Sequence, residues 1–164
     1  LLSMFHNKID TISNLTLDKA VGSIEETYTF EASDGTINSI IASGKIEIIQ
    51  NTQLKSLISS FNGAVINATQ EVENIHKLLH NRLWPSIDGK INSANRIRTY
   101  TGFSDFPKGS YTSDYTWLFK SKEAEDIIGN ITIWHKTVYT DLNNLMQTID
   151  KMLLIVKQEI KTKK

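Results

Sequence analysis

The sequence contains no cysteine, and its only two prolines, Pro85 and Pro107, lie in one part of the chain. The missing cysteine excludes disulfide bonds, thiolate metal sites and a cysteine nucleophile, and it leaves both cytosol and periplasm open. A proline cannot occupy a helix interior, and it biases the residue before it away from helix. We therefore expect a helix to end at Pro85.

Long hydrophobic runs and an excess of either charge are also missing. No apolar stretch approaches the roughly 18 residues of a membrane span, and nothing resembles a signal peptide. The 18 lysines and arginines equal the 18 aspartates and glutamates in number. Because phosphate contacts supply most of the affinity of nucleic-acid binders, this balance argues against nucleic acid as a partner. The chain starts at Leu1 and not at methionine, so we expect a fragment of a longer protein.

The motifs of common enzyme classes are absent as well. No Gly-x-Ser-x-Gly elbow is present for a serine hydrolase. The triplet Ser43-Gly44-Lys45 lacks the Gly-x-x-x-x-Gly-Lys spacing that lets backbone N–H groups converge on phosphate. Lys45 is accordingly interpreted as a surface residue at a helix end. The sequence predicts a protein that is not an enzyme and uses no cofactor.

The stretch around Gly44 organises what is present. Ile37, Ile40 and Ile41 give a short helix one apolar face, and Gly44 is placed to end it in the left-handed conformation. Asn51 then offers the N-cap of a long helix, about residues 52–84. Apolar residues recur along this helix at alternating spacings of four and three, which is a heptad seam. They are Leu54, Ile58, Phe61, Val65, Ala68, Val72, Ile75 and Leu79.

This stretch resembles a motif from an uncharacterised family of membrane-anchored proteins common in Bacteroidota. The motif runs approximately N-x-I-x-S-S-G-K-h-x-h-I-x-N-x-x-L-x-x-x-h-S, where h is a hydrophobic residue. Ala42 replaces its first serine. The resemblance implies a helical extracytoplasmic, periplasmic domain anchored by an upstream membrane span, and it implies no activity. The matching residues are Asn38, Ile40, Ala42, Ser43, Gly44, Lys45, Ile46, Ile48, Ile49, Asn51, Leu54, Ile58 and Ser59.

The rest of the chain also favours helix. Residues 1–12 have helical spacing, a short helix is predicted over about 17–28, and a long helix over about 121–160. Its apolar positions are Ile127, Ile131, Trp134, Val138, Leu142, Leu145, Ile149, Met152, Val156 and Ile160. The sequence thus predicts an all-α, elongated helical bundle, forming a single domain over 1–164. Its two long helices, about 52–84 and 121–160, are antiparallel and joined by an aromatic-rich connection.

That connection holds the candidate binding site. Arginine beside tyrosine or tryptophan is a common composition of contact surfaces, because guanidinium holds carboxylates while the rings bury apolar area. The competing interpretation is that the aromatics only pin the connection over the bundle. The candidate binding residues are Arg82, Trp84, Arg96, Arg98, Tyr100, Tyr111 and Trp117.

Three functional hypotheses follow. The first is a non-enzymatic interaction or sensory module that binds a protein or a small ligand through residues 82–119. The second is a metal-dependent enzyme that uses Glu73, His76 and His80, which share one helix flank. Its ligand set is incomplete, since a di-iron site needs a second such pair and two more carboxylates. The third is a structural spacer that self-associates into a homo-oligomer through a surplus apolar stripe.

Overall fold

The computed structural model describes residues 12–27 and 31–162, and among these residues it contains helices and no strand. The predicted all-α fold is confirmed. A 3-10 turn spans Lys45–Ile48, and a π-helical segment spans Leu79–Leu83. The α-helices are α1 Asn14–Glu25, α2 Gly35–Ala42, α3 Thr52–Leu78, α4 Trp84–Ile87, α5 Ser93–Ile97, α6 Thr116–Lys120 and α7 Lys122–Thr162.

The chain divides into two compact units. Of the described residues, the first unit comprises 12–27 and 73–135, and the second comprises 31–72 and 136–162. Helices α3 and α7 each contribute residues to both units. The single domain stays a prediction. None of the helices in the described ranges combines the length and the apolar character needed to cross a bilayer.

In the second unit, the organising stretch folds as its residues predict. Helix α2 ends at Ala42, and Gly44 has φ +70°, the left-handed conformation that favours glycine. The side chain of Asn51 accepts a hydrogen bond from the Leu54 N–H at 3.0 Å, which confirms the predicted N-cap of α3. Asp34 precedes α2 without a side-chain capping hydrogen bond.

The core of the second unit lies between α3 and α7. Leu54 and Ile58 cluster with Ile155, while Phe61 and Ala68 cluster with Leu145. Later residues of α3 therefore contact earlier residues of α7, which confirms the predicted antiparallel packing there.

The end of the predicted α7 stripe is wrong. Ile155 is buried at 7% exposure, whereas Val156 and Ile160 are 39% and 57% exposed. The apolar period of α7 contains a stutter, and beyond it the face that meets Leu54 and Ile58 passes through Met152 and Ile155.

In the first unit, the predicted helix end at Pro85 is also wrong. The chain continues through the π-helical segment into α4, and Trp84 is helical with φ −60° and ψ −46°. The Trp84 N–H bonds to the Leu79 carbonyl, five residues back, so the hydrogen-bond pattern changes before Pro85 is reached. Pro85 then lies in the first turn of α4, where its missing N–H costs nothing.

The predicted bounds of the shorter helices are shifted. Helix α1 begins at Asn14, earlier than predicted, because the Ser13 side chain accepts from the Thr16 N–H at 3.2 Å. The predicted helix over residues 1–12 falls almost wholly outside the described residues. Helix α1 ends at Glu25, earlier than the predicted end near residue 28, because Glu26 is already extended.

Candidate functional site

Glu25, at the end of α1, collects three of the predicted binding residues around one carboxylate. Its Oε1 accepts from Trp84 Nε1 at 2.7 Å, and its Oε2 accepts from the Tyr100 hydroxyl at 2.6 Å. Arg96 Nε lies 3.1 Å from the same Oε2, and the side chains of this ion pair are 13% and 4% exposed for Arg96 and Glu25. Trp84, Arg96 and Tyr100 therefore direct these polar atoms inward, onto a carboxylate of the same chain.

Burial and the Glu25 carboxylate also change the pKa of Tyr100. Desolvation raises the pKa of the Tyr100 phenol well above its usual value, and the hydrogen bond to Glu25 and the Glu25 charge raise it further. The site is tightly packed here, because a Cβ on Gly22 would lie 2.7 Å from the Tyr100 ring and 2.9 Å from Thr99 Oγ1. Tyr100 is thus held as a neutral donor against α1.

A second buried cluster ties the connection, residues 88–115, to the middle of α1. Asp18 is 6% exposed and accepts hydrogen bonds from the hydroxyls of Tyr115 and, at 3.5 Å, Ser113. Burial raises the pKa of the Tyr115 phenol strongly, and the hydrogen bond to Asp18 and its charge add to the effect. Like Tyr100, Tyr115 stays protonated against an α1 carboxylate.

Asn92 fixes the path of the connection itself. Its side-chain NH₂ donates to the Tyr111 carbonyl at 2.6 Å, and its backbone N–H donates to Ser113 Oγ at 3.0 Å. Its side-chain oxygen accepts from the Ala94 N–H at 3.1 Å and so caps α5. Gly109 passes so close that an added Cβ would overlap the Asn92 amide. Asn92 thereby fastens residues 109–113 to the start of α5.

These contacts leave an open cavity of about 830 Å³ between α1 and the connection, called the polar cavity below. Its walls are set by hydrogen bonds, since Asn14 Nδ2 donates to the Ser113 carbonyl at 3.2 Å and the Gly109 N–H donates to Asn95 Oδ1 at 3.0 Å. The lining residues are Asn14, Leu15, Asp18, Lys19, Asn95, Arg98, Thr99, Ser104, Lys108, Gly109, Ser110, Tyr111, Thr112 and Ser113.

The charge of the polar cavity is unbalanced. Lys19, Arg98 and Lys108 contribute three positive charges, and Asp18 contributes the one negative charge. Asp18 is buried and bonded to Tyr115 and Ser113, whereas none of the three cations forms a salt bridge within the described part of the chain. Arg98 donates one N–H to the Phe106 carbonyl, which leaves its other N–H groups available. The cavity therefore has a positive lining rich in hydroxyl groups.

Of the predicted binding residues, only Arg98 and Tyr111 line the polar cavity. Arg82 lies elsewhere in the first unit and pairs with Asp126 at 3.3 Å. Trp117 faces Lys90, whose ammonium lies 3.9 Å from the centre of the indole ring. The structure thus distributes the predicted set between internal contacts and the cavity.

The three residues of the metal hypothesis also engage separate partners. Glu73 pairs with Lys77 at 3.1 Å, His76 shares a 2.7 Å hydrogen bond with Thr27, and His80 packs edge-on against the Trp84 ring. Within the described ranges, no group of three or more histidine, aspartate or glutamate side chains is arranged to hold a metal ion. The geometry gives this hypothesis no support.

Sequence reasoning missed Glu25, Asp18, Asn92, Lys19 and Lys108. A weak signal for Glu25 exists, because buried tryptophan and tyrosine need acceptors and arginine needs an anion. Nothing in the local pattern of α1 distinguishes Lys19 from a solvated surface lysine, since Lys108 is far away in sequence.

Comparisons of the chain with protein-family models, with curated proteins and with solved structures each return no match.

Proposed function

We propose that the chain is a non-enzymatic binding module, of the sensory or interaction kind, which holds a small polar anion in the polar cavity. The observation that carries the proposal is the set of three cations without salt-bridge partners around a cavity of about 830 Å³. This volume lies within the usual range of small-molecule sites.

The lining chemistry supports an anion with hydroxyl groups. Arg98 can hold a carboxylate or phosphate through paired N–H donors, and Lys19 and Lys108 add mobile point charges. The hydroxyls of Ser104 and Ser110 can donate to or accept from a polyhydroxylated ligand. The hydroxyl of Thr99, which donates to the Arg96 carbonyl at 2.7 Å, can accept. An acidic sugar or a sugar phosphate has both features.

The residues that line the cavity also support a binding role without catalysis. No histidine is among the described residues that line it, and its one carboxylate, Asp18, already accepts from Tyr115 and Ser113. A general base must reach the proton that it abstracts, and Asp18 Oδ1 already accepts two hydrogen bonds from the chain itself. We include in the proposal an extracytoplasmic, membrane-anchored location, which rests on the resemblance of residues 38–59 alone.

Titration calorimetry tests the proposal with galacturonate, glucose 6-phosphate and inorganic phosphate as probes, and with neutral glucose for comparison. We expect at least one anion to bind more tightly than glucose. Lys108→Ala should then weaken binding about tenfold, the size expected for one lost charge-assisted hydrogen bond. Lys108 makes no other described ion pair, so this variant should keep its melting temperature.

Lys136→Ala is the matched control, because Lys136 is an exposed cation of α7 outside the cavity. It should leave anion binding unchanged. Equal loss in both variants would mean that overall charge, and not the cavity, attracts the anion. The proposal is wrong if no anionic probe binds, or if glucose binds as tightly as the anions.

A further inference from the structure

Helix α7 carries a row of apolar side chains on its outer surface in the second unit. Met146, Leu153 and Ile160 are each at least half exposed and follow one another at intervals of seven residues. Val156 is 39% exposed and lies between the last two at spacings of three and four. Seven residues are almost two helical turns, so these side chains form one stripe along the helix.

The stripe has the pattern of a coiled-coil seam that lacks a partner. Ile149 completes the alternating spacing of three and four from Met146 to Ile160, and it is half-buried against the core of the second unit. A seam of this kind is stabilised when a second helix with the same pattern packs against it. A second copy of α7 supplies that pattern without any further assumption.

The charges beside the stripe select one orientation of the second copy. Asp150 and Lys157 flank Leu153 on the same side, three residues before it and four residues after it. In an antiparallel pair centred on Leu153, Met146 lies opposite Ile160 of the partner, and Asp150 lies beside the partner's Lys157, offset by one residue or about 1.5 Å along the helix axis. The two-fold axis repeats each contact, so both acids meet a base. In a parallel pair in register, residues 150 and 157 of the two copies lie on opposite sides of the seam, so Asp150 does not meet the partner's Lys157.

Asp150 and Lys157 are both exposed on α7. Within the described ranges, Asp150 and Lys157 form no salt bridge. We propose that a second copy of this chain binds along α7, antiparallel and centred on Leu153, with Met146 against Ile160 in the core and Asp150 against Lys157 at the edge. The stripe is short, so the pair is a weak and reversible dimer, with a dissociation constant between about 10 μM and about 1 mM.

Disulfide crosslinking tests the orientation, because the chain has no cysteine of its own. Three single-cysteine variants are prepared, Leu153→Cys, Met146→Cys and Ile160→Cys, and are oxidised with copper phenanthroline. Leu153→Cys should form a covalent dimer. Met146→Cys alone should not, since two copies of residue 146 are about 21 Å apart in the antiparallel pair. An equal mixture of Met146→Cys and Ile160→Cys should form the mixed dimer.

Ile66→Cys is the control, because Ile66 is 60% exposed on α3 and lies outside the stripe. It should crosslink no faster than the Met146→Cys variant alone. Self-crosslinking of Met146→Cys as fast as that of Leu153→Cys would show a parallel pair and overturn the proposal. So would the absence of any covalent dimer from Leu153→Cys at millimolar protein.

A charge exchange measured by analytical ultracentrifugation gives a second, independent test. Asp150→Lys places like charges opposite each other and should weaken dimerisation about tenfold, whereas Asp150→Lys combined with Lys157→Asp should restore it. Unchanged association in Asp150→Lys, or no recovery in the double variant, would contradict the charge pairing. Both residues are exposed, so neither variant is expected to disturb the fold.

Discussion

Glu25 shows how much can depend on a single side chain. Its carboxylate receives hydrogen bonds from Trp84 and Tyr100 and an ion pair from Arg96, and it is almost fully buried. A buried ion pair stabilises little relative to an apolar pair, but removing one partner leaves the other charge buried and unpaired. Trp84, Arg96 and Tyr100 therefore hold the first unit together through one internal carboxylate.

Glu25→Ala should lower the free energy of unfolding by about 3–5 kcal/mol, because Arg96 would stay buried without its carboxylate. Glu25→Gln keeps acceptor capacity and should cost less. Urea unfolding at neutral pH measures both. Glu31→Ala is the control, since Glu31 is exposed, and it should change stability by less than about 0.5 kcal/mol. A small loss in Glu25→Ala, equal to that of the control, would contradict the role assigned to Glu25.

The raised pKa values of Tyr100 and Tyr115 predict a loss of stability in alkali. In the unfolded chain a tyrosine ionises near pH 10.0, whereas in the folded chain it stays protonated to higher pH. The unfolded state therefore binds fewer protons above pH 10, and the free energy of unfolding falls as pH rises. Each tyrosine contributes a slope of about 1.4 kcal/mol per pH unit there, and its contribution is fully retained below pH 10.

Tyr115→Phe isolates one of these contributions. The variant loses the hydrogen bond to Asp18, so it should be less stable at neutral pH. Its stability should then fall less steeply than that of the parent chain between pH 10 and pH 11, where urea midpoints are compared. Arg96 acts in the opposite direction on the Tyr115 pKa and remains in both proteins. Identical slopes would show that Tyr115 ionises freely in the folded state.

At the scale of elements, the sequence predicts what is local and periodic. The seam of α3 is confirmed, since every residue from Leu54 to Leu79 in that series is buried or half-buried. Gly44 and Asn51 are confirmed because a left-handed turn and an N-cap depend on one residue and its neighbours. The π-helical segment before Pro85 and the use of Ile155 in place of Val156 depend on which surfaces the helix meets. Neither can be derived from spacing alone.

Two glycines in the second unit should respond to alanine with opposite signs. Gly44 has φ +70°, so Gly44→Ala should destabilise by about 1 kcal/mol through backbone strain. Gly63 lies inside α3 with open space around its Cα, so Gly63→Ala should stabilise by about 0.5–1 kcal/mol. Thermal unfolding followed by circular dichroism measures the pair. Equal shifts in the same direction would contradict the conformations assigned to these glycines.

At the scale of the whole molecule, the chain forms two compact units, yet α3 and α7 each continue from one unit into the other. Helical hydrogen bonds therefore run without a break past residues 72–73 and 135–136. The polar cavity could not be predicted from the sequence, because it depends on contacts between segments that are distant in the chain. Lys19 and Lys108 meet there only because Asp18 and Asn92 fix the path of the connection over α1.

Because both long helices are continuous, we expect the two units to unfold in a single transition. Ile127→Ala in the first unit and Ile155→Ala in the second should each cost about 2–5 kcal/mol, since both side chains are buried. Scanning calorimetry should show one peak for each variant, shifted to lower temperature, with equal calorimetric and van't Hoff enthalpies. A second peak in either variant would show that the units unfold separately.

The arrangement around Glu25 also has a consequence for the order of folding. Trp84 and Tyr100 follow Glu25 by 59 and 75 residues, so the loops that bring them together are long. Closing such loops costs entropy before the contacts form, and contacts of this separation slow folding. During synthesis α1 leaves the ribosome before residues 84–100, and its carboxylate stays hydrated until the connection has been made. Residues 84–100 therefore complete the first unit late, and a nascent chain that stops before them cannot bury the end of α1.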